Sequence, residues 1–203
     1  ITNPSVLYCG TEFGIWASVN RGASWANINN NLPTVAVHEV AQPTTASDIV
    51  VGTHGRSVWI LDVSSIRQMT PRTETVGKDE KTIDPLKEPV TLFAPAPAVR
   101  WKFEAGRESP YSKDARKFYG TNPTPGAAFE YLVTKPGKAA SLKVTDALGA
   151  TVKEFRTAPA DAGFHRLQWN LSGPKGGTVP SGTYRVTLTV DGKEFTRGLT
   201  VEN

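Results

Sequence analysis

Apolar residues along this chain fall into short runs separated by turns rich in glycine, asparagine and proline. Residues 6–11 (VLYCGT), 14–19 (GIWASV) and 24–28 (SWANI) are three such runs in close succession. Short apolar, β-prone runs punctuated by Gly and Asn predict a meander of antiparallel strands. The pattern returns at 36–42 (AVHEVAQ) and at 49–63 (IVVGTHGRSVWILDV). Beyond a polar, non-periodic stretch, strand patterns resume at 127–134, 140–147, 151–157, 163–171, 182–191 and 193–201. Tyr184, Val186, Leu188 and Val190 alternate and so share one face of a strand. Hardly any helix is predicted.

The first two groups of runs are copies of each other. Gly10-Thr11 corresponds to Gly52-Thr53 and Ile15-Trp16 to Val58-Trp59, with 42 positions between the Gly-Thr pairs. That offset lies in the range of about 40 to 50 residues for one four-stranded propeller blade. The connector at 18–25 (SVNRGASW) resembles the Asp-box hairpin, S-x-D-x-G-x-[ST]-W, with Ser18, Asn20, Gly22, Ser24 and Trp25 in the five slots and Asn20 replacing the usual Asp. The resemblance implies a structural role, since such hairpins lie at blade edges away from active sites. Trp25 is expected to be buried between strands. Residues 5–29 then read as the last three strands of one blade and 36–62 as the first three of the next. The expectation is an incomplete propeller, 1–66, whose partners are further blades from another chain or from the rest of the same precursor.

Residues 67–89 are rich in Lys, Glu, Asp, Thr and Pro without periodicity and read as a linker. Residues 90–103 read as an extended, Pro-broken segment and 104–126 as a long basic loop, so that linker and loop together span 67–126. The six runs from 127 to 203 predict a small β-sandwich. Three motifs there resemble the Ig-like domain of the flagellar hook-cap (FlgD-like) family. They are a hairpin from Leu142 to Val152, a strand from Gly163 to Asn170, and a final hairpin from Pro180 to Gly192. The resemblance implies that Trp169 and Tyr184 pack between the sheets. Taken together, the chain resembles the C-terminal part of bacterial proteins with a sortilin-type or BNR-type propeller followed by an Ig-like domain. The expected fold is all-β, the terminal blades of a β-propeller followed by a small Ig-like β-sandwich. The resemblance also implies a secreted, periplasmic or cell-surface location.

Composition narrows the function classes. The chain has 203 residues, 38% of them apolar, with 18 Gly and 15 Pro, a balance that suits a turn-rich all-β protein. No apolar run is long enough to cross a bilayer as a helix. The lone cysteine, Cys9, lies in an apolar strand and is read as a buried thiol. The net charge of +4 is uneven: two arginines face four carboxylates up to residue 65, and 21 basic residues face 15 acidic ones beyond it. The basic residues are dispersed among acids and carry no aromatic stacking platform, which argues against nucleic acid. A protein or glycan ligand is the expectation.

One compact polar cluster stands out, Thr53-His54-Gly55-Arg56-Ser57. His54 and Arg56, with Glu12 near them, could face a ligand from a propeller turn; alternatively Arg56 pairs with Glu12 or Asp62 and His54 caps the turn. His38 and His165 lie in separate strands far from any cysteine cluster, so neither a metal site nor a cofactor is expected. A sialidase-like hydrolase would need an arginine cluster, a Tyr/Glu pair and an acid/base carboxylate. The propeller half offers only Arg21 and Arg56. A non-catalytic binding or structural role is therefore the reading, with the alternative of a BNR-type glycoside hydrolase whose catalytic residues lie in other blades.

Overall fold

Two three-stranded antiparallel meanders pack against each other in the N-terminal part of the chain. A computed structural model describes residues 3–43, 47–76, 79–100 and 124–203. The first meander, in spatial order, is β1 (Leu7–Thr11), β2 (Gly14–Ser18) and β3 (Ala26–Asn27); the second is β4 (Val37–Ala41), β5 (Asp48–Thr53) and β6 (Val58–Asp62). Between them lies a core of Ile15, Leu32, Val37, Ile49, Val51 and Val63. The sheets meet closely where β1 passes β4. A Cβ placed on Gly10 would come within 2.6 Å of Val37 Cγ1, so only glycine allows this approach. Asn29 fixes the β1–β2 turn from outside: its Oδ1 accepts from Ile15 N at 2.8 Å and its Nδ2 donates to Phe13 O at 3.0 Å.

The sequence repeat is also a structural repeat. Gly10 pairs with Ile15 and Cys9 with Trp16 in the first ladder; Gly52 pairs with Val58 and Val51 with Trp59 in the second. The buried faces, however, are opposite. Ile15 and Ala17 are 0% and 6% exposed, whereas their equivalents Val58 and Ile60 are 64% and 70% exposed. Conversely, Ile49 and Val51 are buried, while their equivalents Leu7 and Cys9 are exposed. Each unit thus turns a different face of the same pattern toward its neighbour. This is also why Cys9 is not the buried thiol that its apolar strand suggested.

A single helical turn, α1 (Ser64–Gln68), follows β6 and sets Ile66 against the same core. The segment 67–89 departs from the expected structureless linker. It contains a hairpin, β7 (Arg72–Val76) with β8 (Asp79–Ile83), paired from Arg72–Ile83 to Val76–Asp79. Residues 90–103 do not merely cross a domain surface either. β9 (Val90–Leu92) and β10 (Ala98–Val99) are strands of the sandwich, and Val90, Leu92 and Ala98 belong to its core. Their apolar side chains find a partner sheet that the intervening prolines hide from a reading by periodicity. Most of the expected loop at 104–126 lies outside the described residues.

The sandwich packs β14 (Gly163–Trp169), β11 (Ala127–Val133) and β9, in that order, against a five-stranded sheet. That second sheet runs β10, β16 (Lys193–Glu202), β15 (Gly182–Val190), β12 (Ala140–Thr145) and β13 (Thr151–Ala158). β11 alternates buried and half-buried residues, with Phe129 and Tyr131 inward, and β15 does the same with Tyr184, Val186, Leu188 and Val190. Trp169 and Tyr184 lie in this core. The Trp169 ring stacks on Phe129 with centroids 6.4 Å apart and meets Tyr184 edge-on at 6.1 Å. Each also uses its polar handle: Trp169 Nε1 donates to Ser172 O at 3.1 Å and Tyr184 Oη to Pro180 O at 2.7 Å. The tight Asp191-Gly192 turn closes the last hairpin with Asp191 at φ 49°, and Asp191 Oδ1 accepts from the amides of Lys138 and Ala139.

Helix α1 joins the two halves. The Gln68 amide accepts from Ala94 N at 2.8 Å and donates to Ala94 O at 2.9 Å, so it acts as a strand partner for that backbone. Glu130, on β11, is half-buried at this junction beside Ser65 and Asp62, with Arg166 Nη1 3.6 Å from its Oε1.

Candidate functional site

The turn between β5 and β6 carries the polar cluster singled out in the sequence. Hydrogen bonds shape it. Thr53 N donates to Ser57 O at 3.2 Å, His54 N donates to Ala36 O at 2.9 Å, and Trp59 Nε1 donates to Arg56 O at 2.9 Å. The half-buried Trp59 ring packs on the core between the sheets, so its N–H ties the exposed turn to that core. His54, Gly55, Arg56 and Ser57 all reach solvent.

The expected ion pair is not formed. Among the described residues no carboxylate contacts Arg56; Glu12 is exposed on the β1–β2 turn, and Asp62 Oδ1 instead accepts from Ser64 N at 2.9 Å, ahead of α1. His54 does not cap the turn with its ring. It lies against His38 of β4, with ring centroids 5.2 Å apart and planes inclined at 34°. This contact escaped the sequence because His38 and His54 are 16 positions apart and belong to different strand patterns. The signal was present only in the pairing of β4 with β5. The ladder slips by one residue between Val37 and Glu39, and such a bulge re-aims the side chain at His38.

The Asn20 turn is built from side-chain bonds. Asn20 Oδ1 accepts from Ser24 N and from Ser18 Oγ, both at 2.9 Å, Asn20 Nδ2 donates to Ser24 Oγ at 2.8 Å, and Gly22 N donates to Ser18 Oγ at 2.8 Å. Trp25 breaks the expectation of burial, being 41% exposed. It lies beside Gly22 and Leu7 on the face of the first meander that turns away from the shared core.

A cleft beside this turn is lined by Asn3, Ser5, Asn20, Arg21, Thr70 and Arg72, among others, and among the described residues no carboxylate lines it. His165 stands apart from the other histidines, in β14 of the sandwich, with its ring 5.1 Å from that of Tyr131 and Nε2 2.8 Å from Asp161 O. Burial pushes the Tyr131 phenol up to about 12, helped by the charge of Asp161. Burial also raises the Glu130 carboxyl above its ordinary value; Asp62 adds to the rise, and Ser65 and Arg166 oppose it.

Residues 115–194 match the family model described as the FlgD Ig-like domain. The match covers the greater part of the sandwich and none of the meanders. No curated protein matches the chain. Among solved structures, similarity extends to PorZ, described as an essential bacterial surface component of the type-IX secretion system of Porphyromonas gingivalis. The identity is 14% and the TM-score 0.32, over 98% of this chain and 29% of that one. The chain thus spans less than a third of that protein's length, and a likeness of this size carries no argument about function.

Proposed function

We propose that the two meanders are consecutive blades of an Asp-box β-propeller of the BNR or sortilin type, and that the chain has a non-catalytic binding or scaffolding role in an extracytoplasmic protein. One observation carries this reading, the burial of opposite faces at equivalent positions. Two copies of one pattern stacked front to back leave one apolar face at each end of the stack. Val58 and Ile60 form one such face; Leu7, beside Cys9 and Trp25, lies on the other. A further unit of the same kind would cover each of them, as Ile15 and Ala17 are covered here. The Ser18, Asn20 and Ser24 bonds support the Asp-box reading. The Ig-like sandwich, fastened to α1 through Gln68 and Glu130, would hold the last blade at a fixed angle to the rest of the assembly. The ligand is proposed to be a protein or a glycan.

Analytical ultracentrifugation tests the stacking. A heterologous front-to-back contact propagates, so the chain should associate with rising concentration, and Val58→Asp with Ile60→Asp should abolish this. Leu148→Asp, at a fully exposed turn of the sandwich, should leave association unchanged. A chain that remains monomeric at every concentration, or that associates equally well with both charges present, would refute the proposal.

A further inference from the structure

We propose that His38 and His54 form a binding site for a divalent transition-metal ion of the zinc or copper class. Unlike the blade reading, this rests only on local geometry. An imidazole nitrogen ligates Zn²⁺ at about 2.0–2.1 Å, which places the ring centre about 3.2 Å from the ion. Two such rings at the tetrahedral angle of about 109° then have centres about 5.2 Å apart. The observed separation is 5.2 Å.

The backbone is fixed at both residues. His38 sits at the slip in the β4–β5 ladder, and the backbone of His54 is bonded to Ala36. The next residue but one, Arg56, is tied by its carbonyl to Trp59. The backbone therefore needs little reorganisation for the two rings to share an ion, and side-chain rotation is left to bring one nitrogen of each onto it. Among the described residues, no ring nitrogen of either histidine has a hydrogen-bond partner, so both pairs of nitrogens remain available. His165 differs, since its Nε2 is engaged with the Asp161 carbonyl. Both rings of the pair are exposed, which leaves room for water to complete the coordination. Imidazole ligands suit Zn²⁺, Cu²⁺ and Ni²⁺ and disfavour Mg²⁺ and Ca²⁺, which take oxygen. Arg56 on the same turn adds a positive charge near the ion, an arrangement that would favour an anionic group as a further ligand.

The experiment is a titration of the full chain with Zn²⁺ by calorimetry and with Cu²⁺ by electron paramagnetic resonance. One ion per chain is expected, with two nitrogen ligands resolved for copper. His38→Gln and His54→Gln should each weaken binding at least tenfold and reduce the nitrogen count to one, whereas His165→Gln should change neither. All three variants are checked for an unchanged melting temperature. A measurement on the unaltered chain removes dependence on variants: Cu²⁺ at substoichiometric amounts should broaden the ring resonances of His38 and His54 together and spare those of His165. No binding at millimolar ion, or undiminished binding after loss of either His38 or His54, would overturn the site.

Discussion

Replacing Trp169 by Phe tests whether the sandwich core is held as the structure indicates. The indole is 1% exposed, stacked on Phe129 and edge-on to Tyr184, and its N–H is bonded to Ser172 O. Three losses follow. The missing ring atoms forfeit about 1 kcal/mol of transfer free energy, at about 25 cal/mol per Å² for some 40 Å² of buried surface. The space left behind adds about 1 kcal/mol at about 24 cal/mol per Å³, because the flanking β11 and β15 are fixed by their ladders and cannot close over it. The Ser172 carbonyl loses its donor, which adds about 0.5–1 kcal/mol because water can reach part of that loop. The total is about 2.5–3 kcal/mol. For a sandwich of this size that corresponds to a fall in Tm of about 10–15 °C. Urea denaturation followed by far-ultraviolet circular dichroism gives the difference directly, and Trp25→Phe serves as the comparison. Trp25 is 41% exposed and should cost under about 1 kcal/mol. If Trp169→Phe costs less than about 0.5 kcal/mol, or if Trp25→Phe costs more than Trp169→Phe, the assignment of the core is wrong.

The junction should respond to acid through Glu130. Its folded carboxyl is raised above the ordinary value of 4.5, so the native state binds the proton more tightly; the stability this group contributes is full below pH 4.5 and is lost as pH rises through the raised value. Glu130→Gln should flatten that part of the pH–stability curve measured by thermal melts, and an unaltered slope would exclude Glu130 as its source. Tyr131, pushed up to about 12 from 10.0, should contribute stability that is lost as the solution passes from pH 10 upward through 12. Phenolate absorbance should show its ionisation late, coincident with unfolding, and Tyr131→Phe should remove that step from the titration. At the Asn20 turn, Asn20→Ala breaks three side-chain bonds and should cost about 1–2 kcal/mol. Asn20→Asp keeps both acceptor bonds and lets the Ser24 hydroxyl donate to the second oxygen, so equal or higher stability is expected; a loss as large as that of Asn20→Ala would show that the amide donor holds the turn.

Local signals determined much of this protein. Alternation along 140–145 and 182–190, the Asp191-Gly192 turn and the tryptophan before Asn170 specify strands and hairpins through contacts within a few residues of each other, and the structure places them as the pattern predicted. The same holds for the Ser18–Ser24 turn, whose bonds all close within seven residues. Tertiary structure alone decided which face of each strand is inside. Leu7 and Ile49, or Ala17 and Ile60, occupy equivalent positions in two copies of one pattern, and only the arrangement of the second sheet against the first buries one member of each pair. It decided likewise that 90–92 and 98–99 are sandwich strands, since their partners, β11 and β16, lie dozens of residues away. Trp25 and Cys9 depart from the burial their pattern predicts for this same reason: an apolar residue in a strand is buried only where another element covers it. The contact of His38 with His54 arises in the same way, from a one-residue slip between β4 and β5. A slip of that kind depends on how two strands register against each other, and neither strand's own sequence encodes it.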